Sequence, residues 1–183
     1  ASQYLIRQVI YRGNQTAREV TFRTLLFKLF NRIETWELLS ARLGSLTYSD
    51  NQFSVFDQIL TREIEAGRRI YSAAYIMPSG PRDASARKHR FHLELLKRMM
   101  REELPDRLAA APSMADAFAL LRGYPSIGDF LAYQYVTDVN YSTVTDFSEM
   151  EFVTPGPGAR DGIRKCFSDL GGWSEADVIR FVA

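Results

Sequence analysis

Residues 121–146, L-R-G-Y-P-S-I-G-D-F-L-A-Y-Q-Y-V-T-D-V-N-Y-S-T-V-T-D, hold the densest candidate chemistry in the sequence. Gly123 and Pro125 should end one helix, because Gly releases the chain into positive φ and Pro cannot continue a helical ladder. Ser126 is expected to cap the next helix. From Ile127 the apolar residues Phe130, Leu131, Tyr135 and Val136 return at helical spacing, and Gly128 in the first turn leaves bare backbone open to a partner. Amides exposed at such a turn suit a phosphate. T-P-G-P-G, residues 154–158, offers a second phosphate contact: its two Gly and two Pro fix an unusual path, leave amides open, and lead into a helix carrying Arg160, Arg164 and Lys165. The alternative there is a rigid connector. Lys88, His89, Arg90 and His92 form a third group at the start of a helix, where the dipole attracts anions; the alternative is a solvated basic end.

These groups need helices to position them. Residues 16–33 carry Val20, Phe22, Leu25, Leu26, Leu29, Phe30 and Ile33, a broad apolar stripe that predicts a helix packed into the centre of a domain. Arg23, Lys28, Asn31, Arg32 and Glu34 would then form its solvated face. Thr35 should cap a short helix ended by Gly44, and Ser54 a third ended by Gly67. I-Y-S-A-A-Y-I-M, residues 70–77, is read as a helix stopping before Pro78, since it has no partner strand. Tyr75 within it either stacks on a base or belongs to the core. Residues 84–104 are expected as the longest helix, with Phe91, Leu95, Leu96, Met99 and Met100 facing inward. Ser113 should start another, with Asp116 beside the positive end of its dipole. Asp138 and Asn140 would cap the helix after the hairpin. Ser148 and Glu151 have capping-box spacing, which puts a short helix or single turn directly after Asp146. Ser174 begins the last helix. The pattern is all-α, with eight to ten short helices and Gly or Pro at nearly every boundary.

Composition supports one domain: 183 residues, 46% hydrophobic and 13% aromatic, suffice for a sizeable core. A net charge of +1 and a pI near 8.1 mean that any nucleic-acid contact must come from local clusters of Arg and Lys. Cys166 is the single cysteine, which excludes an intrachain disulfide and any zinc or iron–sulfur site built from several cysteines. No apolar run approaches the ~20 residues needed to span a bilayer, so a soluble, cytoplasmic protein with no membrane contact is expected; no metal and no cofactor are expected either.

Pro125, Ile127 and Gly128 match P-G-[VI]-G, the turn that opens the second helix of the helix-hairpin-helix of endonuclease III-type DNA glycosylases and holds the DNA backbone; Ser126 replaces the first Gly. The hairpin resembles that motif. In that superfamily the catalytic Asp follows the last hairpin Gly by about one helix and a short loop, and Asp146, eighteen residues after Gly128, occupies this place. Further segments are L-L-F-K-L-F-N-R-I-E-T-W-E, I-Y-S-A-A-Y-I-M-P-S, K-H-R-F-H-L-E-L-L, Y-P-S-I-G-D-F-L-A-Y-Q and D-F-S-E-M-E-F-V-T-P-G-P-G-A-R-D-G-I-R-K-C-F. Together they resemble the helical domain of bacteriophage thymine hypermodification. Its members are described as the 5-hydroxymethyluracil DNA kinase helical domain and as α-glutamyl/putrescinyl thymine pyrophosphorylases, or amino acid:DNA transferases.

The resemblance implies a single all-α, two-lobed, DNA-glycosylase-like domain over residues 1–183. Its groove would be bordered by the hairpin and Asp146. It implies duplex DNA carrying a modified thymine as substrate, a kinase acting upstream, and a small amine or amino acid that displaces phosphate or pyrophosphate. No Walker A sequence occurs, so the chain is not expected to be the P-loop kinase itself. A base inside a duplex cannot present its 5-substituent to a buried acid, so the base is expected to be flipped or bound through a distorted groove, flipping putting it near Asp146. Asn31 and Glu34, at the end of the first long helix, would contact the base or the amine. Two other readings stay open: a monofunctional glycosylase excising a modified base, in which Asp146 would stabilise an oxocarbenium-like sugar, and an inert DNA-binding module. Lyase chemistry is disfavoured, because Asp129 follows Gly128 and no Lys intervenes before Asp146.

Overall fold

The computed structural model describes residues 2–73, 77–78 and 87–183, and every regular element among them is helical. A short α1 (Ser2–Tyr4) runs into a π-helical stretch (Leu5–Ile10). There follow α2 (Ala17–Phe30), α3 (Ile33–Leu43), α4 (Gln52–Glu65), α5 (Lys88–Arg101), α6 (Leu104–Ala109), α7 (Met114–Arg122), α8 (Asp129–Asn140), α9 (Pro157–Cys166) and α10 (Glu175–Val182). The π-helix and α6 have no counterpart in the sequence reading. Among the described residues no helix is long and apolar enough to cross a membrane.

α2 is the axis. The π-helix, α3, α5, α6 and α8 all pack on it, while α4 pairs with α5, α7 with α8 and α9 with α10. Every residue of α2 from Val20 to Phe30 is buried, as expected for a helix surrounded by its neighbours. Phe22 meets Tyr48, Phe53 and Phe56 at ring-centroid distances of 5.7, 6.1 and 6.4 Å. Each such side chain stabilises the fold by about 1.5–3 kcal/mol through burial alone.

The expected solvated face of α2 does not exist, since Arg23, Lys28 and Asn31 are buried. Arg23 donates from Nε to Val9 O (3.1 Å) and from Nη2 to Asn14 O (2.8 Å), satisfying carbonyls at and just beyond the end of the π-helix. The buried charges of Arg23 and Lys28 are tolerated because each meets groups of opposite character, carbonyl oxygens for Arg23 and the Asp138 carboxylate for Lys28. Arg32 and Glu34, beyond the end of α2, stay accessible.

Boundaries depart from expectation where backbone geometry intervenes. Asn31 enters the left-handed region (φ 48) and its N–H closes on Phe27 O at 2.7 Å, so α2 stops there and Ile33 opens α3. Thr35 is not a cap: its hydroxyl donates to Ile70 O at 2.8 Å and ties α3 to the chain after α4. Ser54 lies inside α4, bonding back to Asn51 O. Residues 70–73 are irregular rather than helical. Ser72 N–H donates to Phe30 O at 3.0 Å and the Tyr71 ring sits 5.2 Å from that of Phe30, so this backbone serves the end of α2. The helix expected over residues 84–104 is shorter and breaks where Glu103 takes φ 55; Leu104 and Pro105 then open α6. Residues 84–86, and Tyr75, lie outside the described residues.

Candidate nucleic-acid interface

Ser113 caps α7 by accepting from Asp116 N–H at 3.1 Å, and α7 ends at Gly123, whose φ of −69 is right-handed rather than positive. The positive φ falls on Ser126 (63), within the turn to α8. Ser126 therefore does not cap α8; Gly128 does, with an extended backbone and open space where a Cβ would stand. Ile127 is the buried anchor of the turn, while Pro125 and Gly128 are exposed and Ser126 is half-buried. Arg122 braces the turn from below, donating to Ile127 O (3.3 Å) and pairing with Asp129 (2.5 Å); Asp161 of α9 is a second carboxylate in the cavity that Asp129 lines.

After α8, residues 141–156 run back along it. Asn140 Nδ2 donates to Phe147 O (2.9 Å), Phe152 packs on Tyr133 (6.1 Å) and on Phe118 of α7 (5.0 Å), and Gly156 rests on Phe130. A Cβ at Gly156 would stand 3.2 Å from that ring, which explains the glycine. The contacts descend α8 from last turn to first and deliver the start of α9 next to the α7–α8 turn. There a cavity of about 370 Å³ is lined by Asp129, Phe130, Thr154, Pro155, Arg160 and Arg164, among others. The sequence-predicted Arg160 and Arg164 thus meet the first turn of α8 there, whereas Pro125, Ser126, Ile127 and Gly128 precede that turn and are not part of the cavity lining. Arg160 is half-exposed and pairs with Glu175 (3.1 Å), and Arg164 is exposed.

Asp146 is at the other end of α8. That helix is about 17 Å long at 1.5 Å per residue. Its side chain is exposed, while Thr145 before it is buried and Phe147 after it is half-buried. Asn140 Oδ1 accepts from Thr145 Oγ1 (3.0 Å) and from Phe147 N–H (2.9 Å), completing a bracket on both sides of Asp146. Asn140 is therefore not the expected cap of α8, whose C-cap position is Tyr141, and neither is Asp138, which is buried against Lys28. Ser148 and Glu151 make a single turn (Glu151 N–H to Ser148 O, 3.2 Å), and Arg180 of α10 holds that turn by donating to Met150 O and Glu151 O.

The basic opening of α5 is arranged differently. His89 and His92 are fully buried on separate partners. His89 Nε2 lies 2.8 Å from Asp57 and 3.0 Å from Thr61 Oγ1, and Arg90 pairs with the same Asp57 oxygen at 2.8 Å. His92 Nδ1 meets the Tyr71 hydroxyl (2.7 Å) and its Nε2 meets Pro78 O (2.9 Å). Burial lowers the His89 pKa against the pull of Asp57, and drives that of His92 down to about 4. Burial works to raise Asp57, but hydrogen bonds from Arg90 and His89 leave its carboxyl below the ordinary range. Lys88 lies over the Tyr71 ring at 4.7 Å. The four residues thus do not form one cationic face.

Asn31 and Glu34 are not brought together either. Glu34 is exposed, pairs with Arg32 and lines a cavity of about 340 Å³ with Arg68 and Arg69. Asn31 is buried, its Oδ1 without a hydrogen-bond partner among the described residues. One turn earlier Lys28 Nζ lies 2.9 Å from Asp138 Oδ2, both side chains under a tenth exposed. Burial pushes the Asp138 carboxyl above its usual range despite the lysine. Sequence reasoning missed this pair; the signal was the apolar residues flanking each charge, L-L-F-K-L-F and Y-V-T-D-V.

A family model described as "5-hmdU DNA kinase, helical domain" matches residues 1–183. No curated protein and no solved structure matches the chain.

Proposed function

Since the chain belongs to the family of 5-hmdU DNA kinase helical domains, we propose that it is a transferase acting on phosphorylated 5-hydroxymethyluracil in duplex DNA. The family relates to 5-hmdU DNA modification, and its name points to DNA carrying a modified thymine as substrate. In the proposed reaction an amine or amino acid supplies a nitrogen lone pair to the exocyclic methylene carbon. The carbon–oxygen bond to the phosphate or pyrophosphate breaks, that group leaves with the bond electrons, and Asp146 takes the proton shed by the ammonium nitrogen. The helix-hairpin-helix reading places the open turn at Ser126 to Gly128 on a DNA phosphate, with Arg160 and Arg164 on neighbouring ones.

The observation that carries this reading is the meeting of the first turn of α8, Asp129 and Phe130, with Arg160 and Arg164 of α9 on one cavity directly after the α7–α8 turn, while Asp146 is exposed beyond the other end of α8. Ser126 supports the motif: it takes a positive φ at the position where the motif has glycine.

The test is to incubate the protein with duplex DNA containing 5-phosphoryloxymethyluracil, or its pyrophosphate, and a mixture of amines and amino acids, then to analyse nucleosides by mass spectrometry. An aminated nucleoside is expected. A free base with an abasic site would establish a glycosylase instead, and unchanged nucleosides would leave only DNA binding.

A further inference from the structure

We infer that Asn140 is the positioning residue of Asp146, fixing where its carboxylate stands through both neighbouring residues; this rests on the role proposed for Asp146. Asn140 is the last residue of α8, an element buried along Leu131, Ala132, Tyr135, Val136 and Val139. Its amide starts from a rigid base. From there Oδ1 accepts Thr145 Oγ1 at 3.0 Å and Phe147 N–H at 2.9 Å, and Nδ2 donates to Phe147 O at 2.9 Å. Three of the four hydrogen bonds available to a primary amide are made, and all three go to the residues flanking Asp146.

The bracket is selective. Thr145 is held by its side chain, Phe147 by its backbone N–H and C=O, while Asp146 between them is exposed. A loop closed only for stability needs no such arrangement around an exposed acid. The arrangement does suit a carboxylate that must keep one position in front of a substrate, because a positioned acid or base acts only within hydrogen-bond reach of its proton. Asn is the side chain that can do this. Asp in its place keeps both acceptors but loses the donor to Phe147 O, and Ala loses all three bonds.

The experiment measures melting temperature, DNA affinity, kcat and KM for aminated-nucleoside formation, and the pH dependence of kcat. It compares wild type with Asn140→Ala, Asn140→Asp, Asp146→Asn and the double variant Asn140→Ala/Asp146→Asn. Asp146→Asn should lower kcat about 10²-fold or more, as for loss of a positioned acid or base. Asn140→Ala should lower kcat roughly 10- to 100-fold, with DNA affinity and KM within about twofold, and should add nothing in the Asp146→Asn background. Asn140→Asp, which keeps the acceptor bonds and so guards against misfolding of the Ala variant, should move the acid limb of kcat to higher pH, because the added anion disfavours an ionised neighbour.

Wild-type kcat in Asn140→Ala, an unmoved pH profile in Asn140→Asp, or a loss that adds in full to that of Asp146→Asn overturns the inference while leaving Asp146 in place. Wild-type turnover in Asp146→Asn, or none in the wild type, removes the role of Asp146 and this inference with it.

Discussion

Helices α5 and α9 both carry basic residues from their N-terminal halves onward, and the fold uses them in opposite ways. In α5 the helical period turns His89 and His92 inward, where burial holds them toward the neutral form, and Asp57 takes both His89 and Arg90. In α9 the period leaves Arg160 and Arg164 on the accessible side of a shallow cavity beside an open turn. A run of basic residues is therefore no site in itself. What separates the two faces is which way 100° per residue points the side chains: Arg160 pairs with Glu175 yet stays half-exposed and Arg164 is exposed, whereas His89 and His92 are fully buried.

The largest effect that would sharpen this contrast is expected in the scaffold. Lys28→Met leaves the Asp138 carboxylate buried without its cation and should cost about 3–5 kcal/mol of unfolding free energy, whereas Lys28→Met/Asp138→Leu should recover most of it. Urea unfolding of the three proteins measures this. Equal stability of single and double variants would show that the pair is not coupled.

Next comes the pH dependence set by α5. His92 takes its proton near pH 6.5 in the unfolded chain and near 4 in the folded one. Between these values the unfolded state binds more protons, so stability present above pH 6.5 is lost as pH falls to about 4, by about 3 kcal/mol for this residue. His89, also lowered, acts in the same direction; Asp138, raised, acts against it. Unfolding free energies at pH 7.5, 6 and 4.5 should show the slope in wild type and a shallower one in His92→Gln. An unchanged slope would mean that His92 is not held neutral.

On the binding face the effects are smaller. Arg164→Ala should reduce the slope of log affinity against log salt by about 1 and weaken DNA binding similarly across sequences, with the melting temperature unchanged. Arg90→Ala should leave that slope alone; an equal reduction would put the α5 opening in the DNA site and break the comparison.

The smallest effect is expected at the turn. Ser126→Gly relieves a left-handed serine worth on the order of 1 kcal/mol, partly offset by the added freedom of the unfolded chain, so a slight rise in melting temperature with unchanged DNA affinity is predicted. A fall in affinity would place the Ser126 hydroxyl on the phosphate.

Much of the scaffold was legible because its signals are local. Gly44 and Gly67 take positive φ just past α3 and α4, and Ser113 and Ser174 cap their helices through bonds three residues away. The turn at residues 125–128 was found where it was expected, though the cap moved from Ser126 to Gly128, because serine had taken the left-handed position instead. The break at Glu103 was missed: a single residue of positive φ leaves little trace in hydrophobic period, although Pro105 two residues later was a cue.

By itself the sequence determined the all-helical class, the boundaries set by Gly44, Gly67, Ser113, Gly123 and Ser174, and the groups that carry charge, since caps, breakers and the 3.6-residue period act over a few neighbours. Only the tertiary structure decided which charges face solvent. Lys28 and Asp138 are 110 residues apart in the chain, His89 and Asp57 32, and nothing local to either partner names the other. The same holds for the loop that turns back along α8 and brings Arg160 and Arg164 beside the α7–α8 turn. Its course is set by Phe152 on Phe118 and Tyr133 and by Gly156 on Phe130, contacts that exist only once the helices have packed.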